Sequence, residues 1–299
     1  MKKLLVLVGP TAIGKTSLAF ELAGKFSGQL ISADSRQVYQ GLNIGTGKEL
    51  SATIPTHLID LVKPDEYFSV ADWLPLAVKA LDEIWSLEQL PIVIGGTGFY
   101  VKALLDGVES LGVVPNWELR KQLKDWALED LQERLRKRDF GVWEKLNQSD
   151  RANPRRLIRK IEIATSKEIG SGFAGVRADV LFLGLTGELK KIYQRIDLRV
   201  EQRLKEGLAE EIKGLLDSGV GWGDPGMNTL AYKEFYPYFE DDSPLEDIVR
   251  RWKFNEHGYA RRQLTWFKKD PRIQWFDIFD PDWNLSLLKL VDQWYSNFN

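Results

Sequence analysis

Short runs of apolar residues alternate with amphipathic stretches in the first third of the chain. This alternation is typical of strands and helices that follow one another in a parallel α/β sheet. One more apolar run, after the middle of the chain, predicts a return to the same sheet. The predicted strands cover residues 4–8, 29–33, 57–62, 90–94 and 180–185.

The remaining pattern is mostly helical. Apolar positions at helical spacing continue through a highly charged stretch from residue 115 to about residue 168. We therefore expect an α/β core made of residues 1–114 and 178–299, with a mostly helical insertion over residues 115–177 and a helical C-terminal region. The other predicted helices cover residues 69–85 with Ser69 as the N-cap, 99–105, 188–218, 227–239, 244–269 and 284–297.

Composition narrows the class of protein. The 299 residues carry a net charge of −2, so any nucleic-acid binding needs a local basic surface. The absence of cysteine excludes disulfides and thiolate metal sites. The apolar start is too short for a signal peptide, and no run approaches the ~20 apolar residues of a membrane span. We expect a cytoplasmic protein with no membrane segment.

The strongest chemical signal lies directly after the first predicted strand. Residues 9–16, called the phosphate loop below, fit the pattern G-x-x-x-x-G-K-[ST] and lead into a predicted helix. This context predicts a P-loop NTPase-like core in which backbone N–H groups and a helix N-terminus bind polyphosphate. Lys15 supplies a cation, and the Thr16 hydroxyl is placed to bind Mg²⁺; the alternative is a glycine-rich connection without a ligand. The predicted diphosphate- or nucleotide-binding residues are Gly9, Pro10, Thr11, Ala12, Ile13, Gly14, Lys15 and Thr16.

A carboxylate follows the second predicted strand. Because parallel strands end at the same edge of a sheet, Asp34 is expected beside the phosphate loop, together with the glycine-rich turn at residues 95–98. Asp34 can help to hold Mg²⁺ or remove a proton from an acceptor. Its alternative role is to cap a turn.

These segments together resemble the tRNA dimethylallyltransferases, also called tRNA isopentenyltransferases. The resemblance extends over nearly the whole chain, with the motifs in the family's order. Two positions depart from the pattern: Ala231, where the family usually has glycine, and Thr56, where it often has histidine. The matching motifs are residues 9–16, 33–39, 43–48, 57–60, 95–100, 153–157, 195–199 and 260–267.

The resemblance implies transfer of a dimethylallyl group from its diphosphate to the exocyclic amine of the adenine 3′ to the anticodon. Lys15, the loop amides and a Thr16-bound Mg²⁺ would neutralise the departing diphosphate, which Arg199 would also bind. Asp34 would accept the amine proton. The implied catalytic residues are Asp34, Thr16, Lys15 and Arg199.

The resemblance also implies that the target base is flipped out of an anticodon stem-loop, whose backbone needs cationic contacts. Residues 151–160 carry five cations and no acid, although such a cluster on its own is typical of a solvated helix face. The basic stretch at residues 250–269 is compatible with RNA contact or with closing the core. A monomer is expected. The implied tRNA-binding residues are Asp34, Ser35, Arg36, Gln37, Thr97, Arg120, Arg155, Arg156, Leu157, Ile158 and Arg159.

Three other functions stay open at this point. An isopentenyltransferase that acts on free AMP shares the chemistry, but the long insertion and the basic C-terminal helices favour a macromolecular substrate. A small-molecule P-loop kinase would hold ATP phosphates in the loop, yet residues 34–37 do not resemble a kinase acceptor site. A non-catalytic RNA-binding protein with a relict loop is disfavoured by intact Lys15, Thr16 and Asp34.

Overall fold

The structure is a computed structural model that describes residues 2–166 and 172–296. The chain forms two compact units. The first contains the residues up to Leu105 and those from Val176 onward, and the second lies between Asp106 and Gly175. The predicted helical stretch to residue 168 and the terminal helix to residue 297 extend beyond the described residues at their ends.

A parallel sheet forms the centre of the first unit. In the described part of the chain it has six strands, which are numbered along the sequence and lie in the order β3-β2-β4-β1-β5-β6. Strand β1 is fully buried, and its Leu5 is paired with Ile92 on one side and Leu181 on the other. The predictions for β1, β2, β4 and β5 are confirmed to within two residues. The strands are β1 (Lys3–Val8), β2 (Gly28–Ser32), β3 (Thr56–His57), β4 (Leu90–Ile94), β5 (Asp179–Thr186) and β6 (Gln274–Asp277).

One strand prediction was wrong, and one strand was missed. Strand β3 has two residues rather than six, because Leu58 and Asp60 adopt left-handed φ angles of +66° and +54° that end the extended chain. The apolar residue after them, Leu61, donates its N–H to the Val38 carbonyl over 2.7 Å instead of joining the sheet. Strand β6 was missed, since it is a short and partly exposed edge strand without a strongly apolar run.

Helices cover the sheet of the first unit. The predicted helix over residues 188–218 is two helices, because Gly207 breaks it with a φ of +96°. The helix predicted over residues 227–239 is mostly two short 3₁₀ turns followed by a single helical turn. The predicted N-cap of the helix at Val70–Ser86 is confirmed, since the Ser69 side chain accepts the Ala71 N–H. The helices are α1 (Lys15–Lys25), α2 (Val70–Ser86), α3 (Gly98–Asp106), α9 (Leu189–Lys205), α10 (Leu208–Asp217), α11 (Tyr236–Glu240), α12 (Leu245–Phe267) and α13 (Trp283–Ser296).

In its described residues, 106–166 and 172–175, the second unit contains five short α-helices instead of one continuous stretch. Side-chain oxygens of Asn116, Asp139, Asn147 and Asn153 accept backbone N–H groups at the starts of four of them, which sets where each begins. A small core unites them. The helices are α4 (Trp117–Leu123), α5 (Leu128–Arg138), α6 (Phe140–Glu144), α7 (Gln148–Arg151) and α8 (Pro154–Thr165).

Helix α12 shows both faces that its sequence suggested. Ala260, Leu264 and Phe267 are buried against the first unit's core, while Arg261 and Arg262 are exposed. The core-closing role of residues 250–269 is therefore confirmed. None of the described helices combines the length and apolarity needed to cross a membrane.

Candidate active site

The phosphate loop connects β1 to α1, and its shape depends on glycine. A Cβ on Gly9 would lie 2.6 Å from the Leu185 carbonyl oxygen, and its φ of +148° is unfavourable for other residues. Gly14 precedes α1 with a φ of +95°. The loop therefore lies close to β5 and directs the N-terminus of α1 towards the carboxyl ends of the strands.

A cleft with a volume of about 90 Å³ opens beyond those strand ends. Six residues predicted for chemistry or binding line it together: Thr11, Lys15, Thr16, Asp34, Gln37 and Arg199. Gly96 comes from the glycine-rich turn that was expected here. Lining residues to which the sequence gave no role include Thr46, Gly47, Glu49, Arg203, Tyr259 and Gln263.

Asp34 both caps a turn and lines the cleft. Its Oδ1 accepts the N–H of Arg36 over 2.8 Å, which orients the carboxylate. Ser35 donates its N–H to Thr97 Oγ1 over 3.0 Å, and Thr97 donates its N–H to the Ala33 carbonyl over 3.2 Å. The turn after β2 and the glycine turn after β4 are thus hydrogen-bonded to each other.

The close approach of these two turns requires glycine at residue 95. A Cβ there would lie 2.2 Å from the Ala33 carbonyl oxygen. Arg36 extends its guanidinium to 3.5 Å from the Pro225 carbonyl, and Gln37 donates its side-chain N–H to the Gly47 carbonyl over 3.3 Å. The predicted segment 34–37 therefore forms one wall of the cleft and supports the neighbouring loop.

Lys15 has an unusual electrostatic environment. Its Nζ donates to the Pro10 carbonyl over 2.7 Å, so the side chain folds back over the phosphate loop. Burial and the positive charge of Arg199 lower the Lys15 pKa to about 7, against the opposing influence of Asp34 and Glu49. An anion bound beside Lys15 would favour its protonated form.

Helix α9 contributes three arginines on one face. Arg195 donates to the Ala12 carbonyl of the phosphate loop over 2.8 Å, and Arg199 lies 3.6 Å from the Glu49 carboxylate. Arg203 is buried, donates to the Gly45 carbonyl over 3.0 Å, and has a pKa lowered to about 10 by burial and by Arg199. Lys15, Arg199 and Arg203 thus form a cationic end of the cleft.

A loop at residues 43–48 forms the opposite side of that cationic end. The Glu211 carboxylate accepts the Ile44 N–H over 3.0 Å and the Tyr232 hydroxyl over 2.5 Å. Tyr232 in turn accepts the Gly45 N–H over 3.1 Å. A Cβ on Gly47 would lie 2.1 Å from a nitrogen of Arg203, so the loop is packed directly against the arginines.

The donor set suits Mg²⁺ that is bound mainly through a substrate. No group of three or more His, Asp or Glu side chains that could hold a metal occurs in residues 2–166 and 172–296. The Thr16 hydroxyl and the Asp34 carboxylate do line the same cleft. Mg²⁺ typically takes one or two such oxygens and completes its shell with phosphate and water, so these residues fit it.

The predicted tRNA-binding residues of the second unit differ in their surroundings. Arg120 makes two hydrogen bonds to the buried Glu162 carboxylate, at 2.7 and 2.8 Å, and Arg159 makes one at 3.2 Å. These bonds outweigh burial and hold the Glu162 pKa below its usual range. Arg155 and Arg156 are exposed, with Arg156 paired to Asp150.

The apolar members of this predicted set lie inward. Leu157 is fully buried in the core of the second unit, where its side chain packs against neighbouring helices and offers no surface for a ligand. Ile158 is half-buried and packs against the same core. Within segment 155–159, the side chains that reach solvent most freely are those of Arg155 and Arg156.

Comparison with known proteins identifies the family. The sequence matches the family described as IPP transferase over residues 37–270, and that described as isopentenyl transferase over residues 2–57. It is 39% identical over 294 residues to the tRNA dimethylallyltransferase of Alkaliphilus metalliredigens, covering 93% of both chains. It is 40% identical over 295 residues to that of Roseiflexus castenholzii, covering 94% of this chain and 95% of the relative.

Solved structures agree. The full-length tRNA isopentenylpyrophosphate transferase of Bacillus halodurans is 34% identical, with a TM-score of 0.74 that covers 99% of this chain and 96% of that one. A eukaryotic dimethylallyltransferase, described as acting on tRNA, is 26% identical with a TM-score of 0.82, covering 99% of this chain and 80% of that one. The fold is the P-loop NTPase-like fold predicted from the sequence, and the chain belongs to the IPP transferase family of tRNA dimethylallyltransferases.

Proposed function

We propose that this protein transfers the dimethylallyl group of dimethylallyl diphosphate to N6 of the adenosine 3′-adjacent to the anticodon of tRNA. The observation that carries the proposal is the cleft itself, which has a phosphate loop and three cations at one end and Asp34 within it. This arrangement suits a reaction in which diphosphate leaves while an amine attacks and loses a proton. A kinase would instead need an acceptor site beside the outer phosphate.

The donor diphosphate binds at the cationic end. The amides of the phosphate loop, Lys15 and Arg199 contact its oxygens and neutralise the charge that grows as the C–O bond breaks. Arg203 adds a third cation whose position is fixed by the Gly45 carbonyl. Mg²⁺ held by Thr16 and the diphosphate would supply further neutralisation when bound.

Asp34 accepts the proton of the attacking amine. The adenine amine is a poor nucleophile because its lone pair is delocalised into the ring, so a base in contact with it accelerates the attack by about 10²–10⁴-fold. The hydrogen bond from Arg36 to Oδ1 orients the carboxylate. Thr97, hydrogen-bonded to Ser35, lies beside the same turn and suits contact with the flipped base.

The second unit binds the tRNA backbone. Arg155 and Arg156 are exposed on one helix and suit phosphate contacts. Arg120 and Arg159 keep a net positive charge around Glu162 while being held in fixed positions by it. We further propose that the protein acts as a monomer in the cytoplasm, on the anticodon stem-loop.

One assay separates this function from its alternatives. The protein is incubated with labelled dimethylallyl diphosphate or labelled ATP, each with unmodified tRNA or with AMP. We expect label from the prenyl donor in tRNA alone. Label in AMP favours the free-nucleotide enzyme, phosphate transfer favours a kinase, and tRNA binding without any transfer favours a non-catalytic protein.

Asp34→Asn tests the base. We expect donor binding to change little and turnover at saturating substrates to fall by at least ~10²-fold, because the amide cannot accept the proton. Asp280→Asn is the matched control, since Asp280 Oδ1 also accepts an N–H two residues later, over 3.0 Å, but does not line the cleft. Equal turnover in both variants would make Asp34 a turn residue only.

Arg155→Ala combined with Arg156→Ala tests the binding of RNA phosphates. The slope of log affinity for tRNA against log salt should flatten by about 0.7–0.9 for each phosphate that the variant no longer neutralises. Arg136→Ala combined with Lys137→Ala removes the same charge from α5 of the same unit and serves as control. An unchanged slope in the first variant would mean that these arginines form a solvated face. Arg159 is left intact because its removal would disturb Glu162.

A further inference from the structure

Gln263 joins two segments of the cleft that the sequence places far apart. This residue lies on α12 and is buried. Its Oε1 accepts the N–H of Thr11 in the phosphate loop over 2.8 Å, and its Nε2 donates to the Gly96 carbonyl over 3.1 Å. One amide group therefore bridges the phosphate loop and the glycine turn after β4.

The bridge continues to Asp34. Residue 97, next to Gly96, accepts the N–H of Ser35, so the glycine turn is hydrogen-bonded to the turn that carries the carboxylate. The path from Thr11 to Asp34 thus runs through Gln263, the glycine turn and Thr97. It connects the segment proposed for the diphosphate to the segment proposed for the acceptor base.

The side chain has little freedom to move. A Cβ on Gly96 would lie 2.0 Å from Gln263 Nε2, so the amide lies directly on the backbone of the turn. The neighbouring Ala260 and Leu264 are buried in the core and fix α12. Because one partner is a backbone donor and the other a backbone acceptor, the bridge needs a side chain that both accepts and donates, and an amide does both without changing its protonation state.

We propose that Gln263 is a positioning residue that sets the separation between the donor diphosphate and the acceptor amine. The proposal rests on the function proposed above. In that reaction the amine nitrogen must approach the donor carbon to about 3–3.5 Å before the C–N bond forms and the C–O bond breaks, and a misplacement of ~1 Å can cost about 10²-fold in rate. The diphosphate keeps its own contacts, so the effect falls on turnover rather than on donor binding.

Gln263→Met and Gln263→Glu test this role. Methionine preserves the length of the side chain but removes both hydrogen bonds, whereas ionised glutamate can accept from Thr11 but cannot donate to Gly96. We expect kcat at saturating substrates to fall by about 10- to 100-fold in both variants, the upper value being the rate loss that a misplacement of ~1 Å can cause. The Kd for inorganic pyrophosphate should change little. Gln202→Met on the exposed face of α9 is the control, because its amide donates to the side chain of Glu206, which caps the same helix, and Gln202 does not line the cleft.

Lowering the pH gives a signature that a general packing defect would not produce. Protonated glutamate can donate to Gly96, so the kcat of Gln263→Glu relative to wild type should rise as the pH falls, while that of Gln263→Met relative to wild type stays flat. Gly96→Ala should reproduce the loss of kcat, because the added methyl group pushes the Gln263 amide away from the glycine turn. Unchanged kcat in the Gln263 variants, or a loss explained entirely by a higher pyrophosphate Kd, overturns the proposal.

Hydrogen exchange separates this proposal from the proposed function. Pyrophosphate binding to the wild-type protein should slow exchange at the Ser35 and Thr97 amides, and this response should disappear in Gln263→Met. If the wild-type protein transfers no prenyl group but shows the coupled protection, the proposed function fails and the bridge stands. If transfer occurs and the protection is the same in Gln263→Met, the bridge does not position the two segments and the proposal fails.

Discussion

Gly47 lies between two arginines of the cationic end, which makes Gly47→Ala a sharp perturbation. A Cβ at this position would lie 2.4 Å from a nitrogen of Arg199 and 2.1 Å from one of Arg203. The φ of Gly47 is +63°, a left-handed conformation. The substitution therefore imposes backbone strain and displaces the two guanidinium groups at once.

A second glycine separates these two effects. Gly219 has a φ of +96°, and apart from its chain neighbours no described residue has an atom within 4 Å of the position that its Cβ would take. Left-handed strain costs roughly 1–2 kcal/mol per residue, so both variants should lose about that much free energy of unfolding. Gly219→Ala should show this loss alone.

The additional cost in Gly47→Ala falls on ligand binding. The clashing atoms are the ends of flexible side chains, so the arginines can move without unfolding the protein. Hydrogen bonds to charged groups contribute about 1.5–3 kcal/mol each, and 1.4 kcal/mol corresponds to about tenfold in affinity. We expect Gly47→Ala to bind inorganic pyrophosphate about 10- to 100-fold more weakly than wild type.

The assay is isothermal titration with pyrophosphate, paired with denaturant unfolding of both variants. Gly219→Ala should bind pyrophosphate like wild type although it unfolds more easily. Wild-type affinity in Gly47→Ala would refute the reasoning, because it would mean that Arg199 and Arg203 do not contact the diphosphate. Equal weakening in both glycine variants would attribute the effect to stability rather than to the arginines.

Three further predictions concern single residues. The first is a ¹³Cε-lysine NMR titration, in which the Lys15 signal is assigned by its loss in Lys15→Ala. The chemical shift of this signal should change with a midpoint near pH 7 in wild type, and the midpoint should lie at higher pH in Arg199→Met, since Arg199 lowers the Lys15 pKa. A midpoint near pH 10 in wild type would contradict this prediction. Ala231 is buried with a φ of +81°. Ala231→Gly should change the free energy of unfolding by less than about 1 kcal/mol, because relief of ~1–2 kcal/mol of strain offsets the removed methyl and the added chain entropy. The helical control Ala103→Gly should cost more than about 1 kcal/mol in the same denaturant titration. Leu157→Ala should destabilise the second unit by about 2–5 kcal/mol, and a loss of tRNA affinity without destabilisation would show instead that Leu157 contacts RNA.

The sequence predicted the parts of the fold that local patterns determine. Fully apolar runs identified β1, β4 and β5, and the spacing of glycine, lysine and threonine identified the phosphate loop. The errors have local causes that hydrophobicity does not report. Left-handed residues shortened β3, a left-handed glycine divided the long predicted helix at residue 207, and an edge strand without an apolar run escaped notice.

The sequence predicted only some of the side chains that meet in and around the cleft. The rule that ligands bind beyond the carboxyl ends of parallel strands placed Asp34 beside the phosphate loop. Gln263 and Glu211 could not be assigned in this way, because they come from helices far along the chain and bond backbone groups of loops. The motif at residues 260–267 contains Gln263 but gives it no role, and Glu211 lies in none of the matching motifs. Only tertiary packing shows which N–H and carbonyl groups they meet.

The pattern of α9 explains why the sequence analysis assigned Arg199 to the site but not Arg203. Its buried stripe is Ile192, Ile196 and Val200, and the arginines occupy the row directly beside it, at residues 195, 199 and 203. A row at the border of an apolar stripe lies where core meets solvent, which is where a cleft opens. The row on the other border, at residues 193, 197 and 201, carries Asp197 and Glu201, which pair with His257 and Lys253 of α12. The helical period alone does not tell which border faces the ligand. The tertiary structure settles which border it is. Helix α9 follows β5, whose carboxyl end lies beside the phosphate loop, and the acidic row already pairs with side chains of α12. The resemblance gave Arg199 its expected role, and Arg203 is assigned to the cleft because it lies in the same row of α9, once the partner of the opposite row is known.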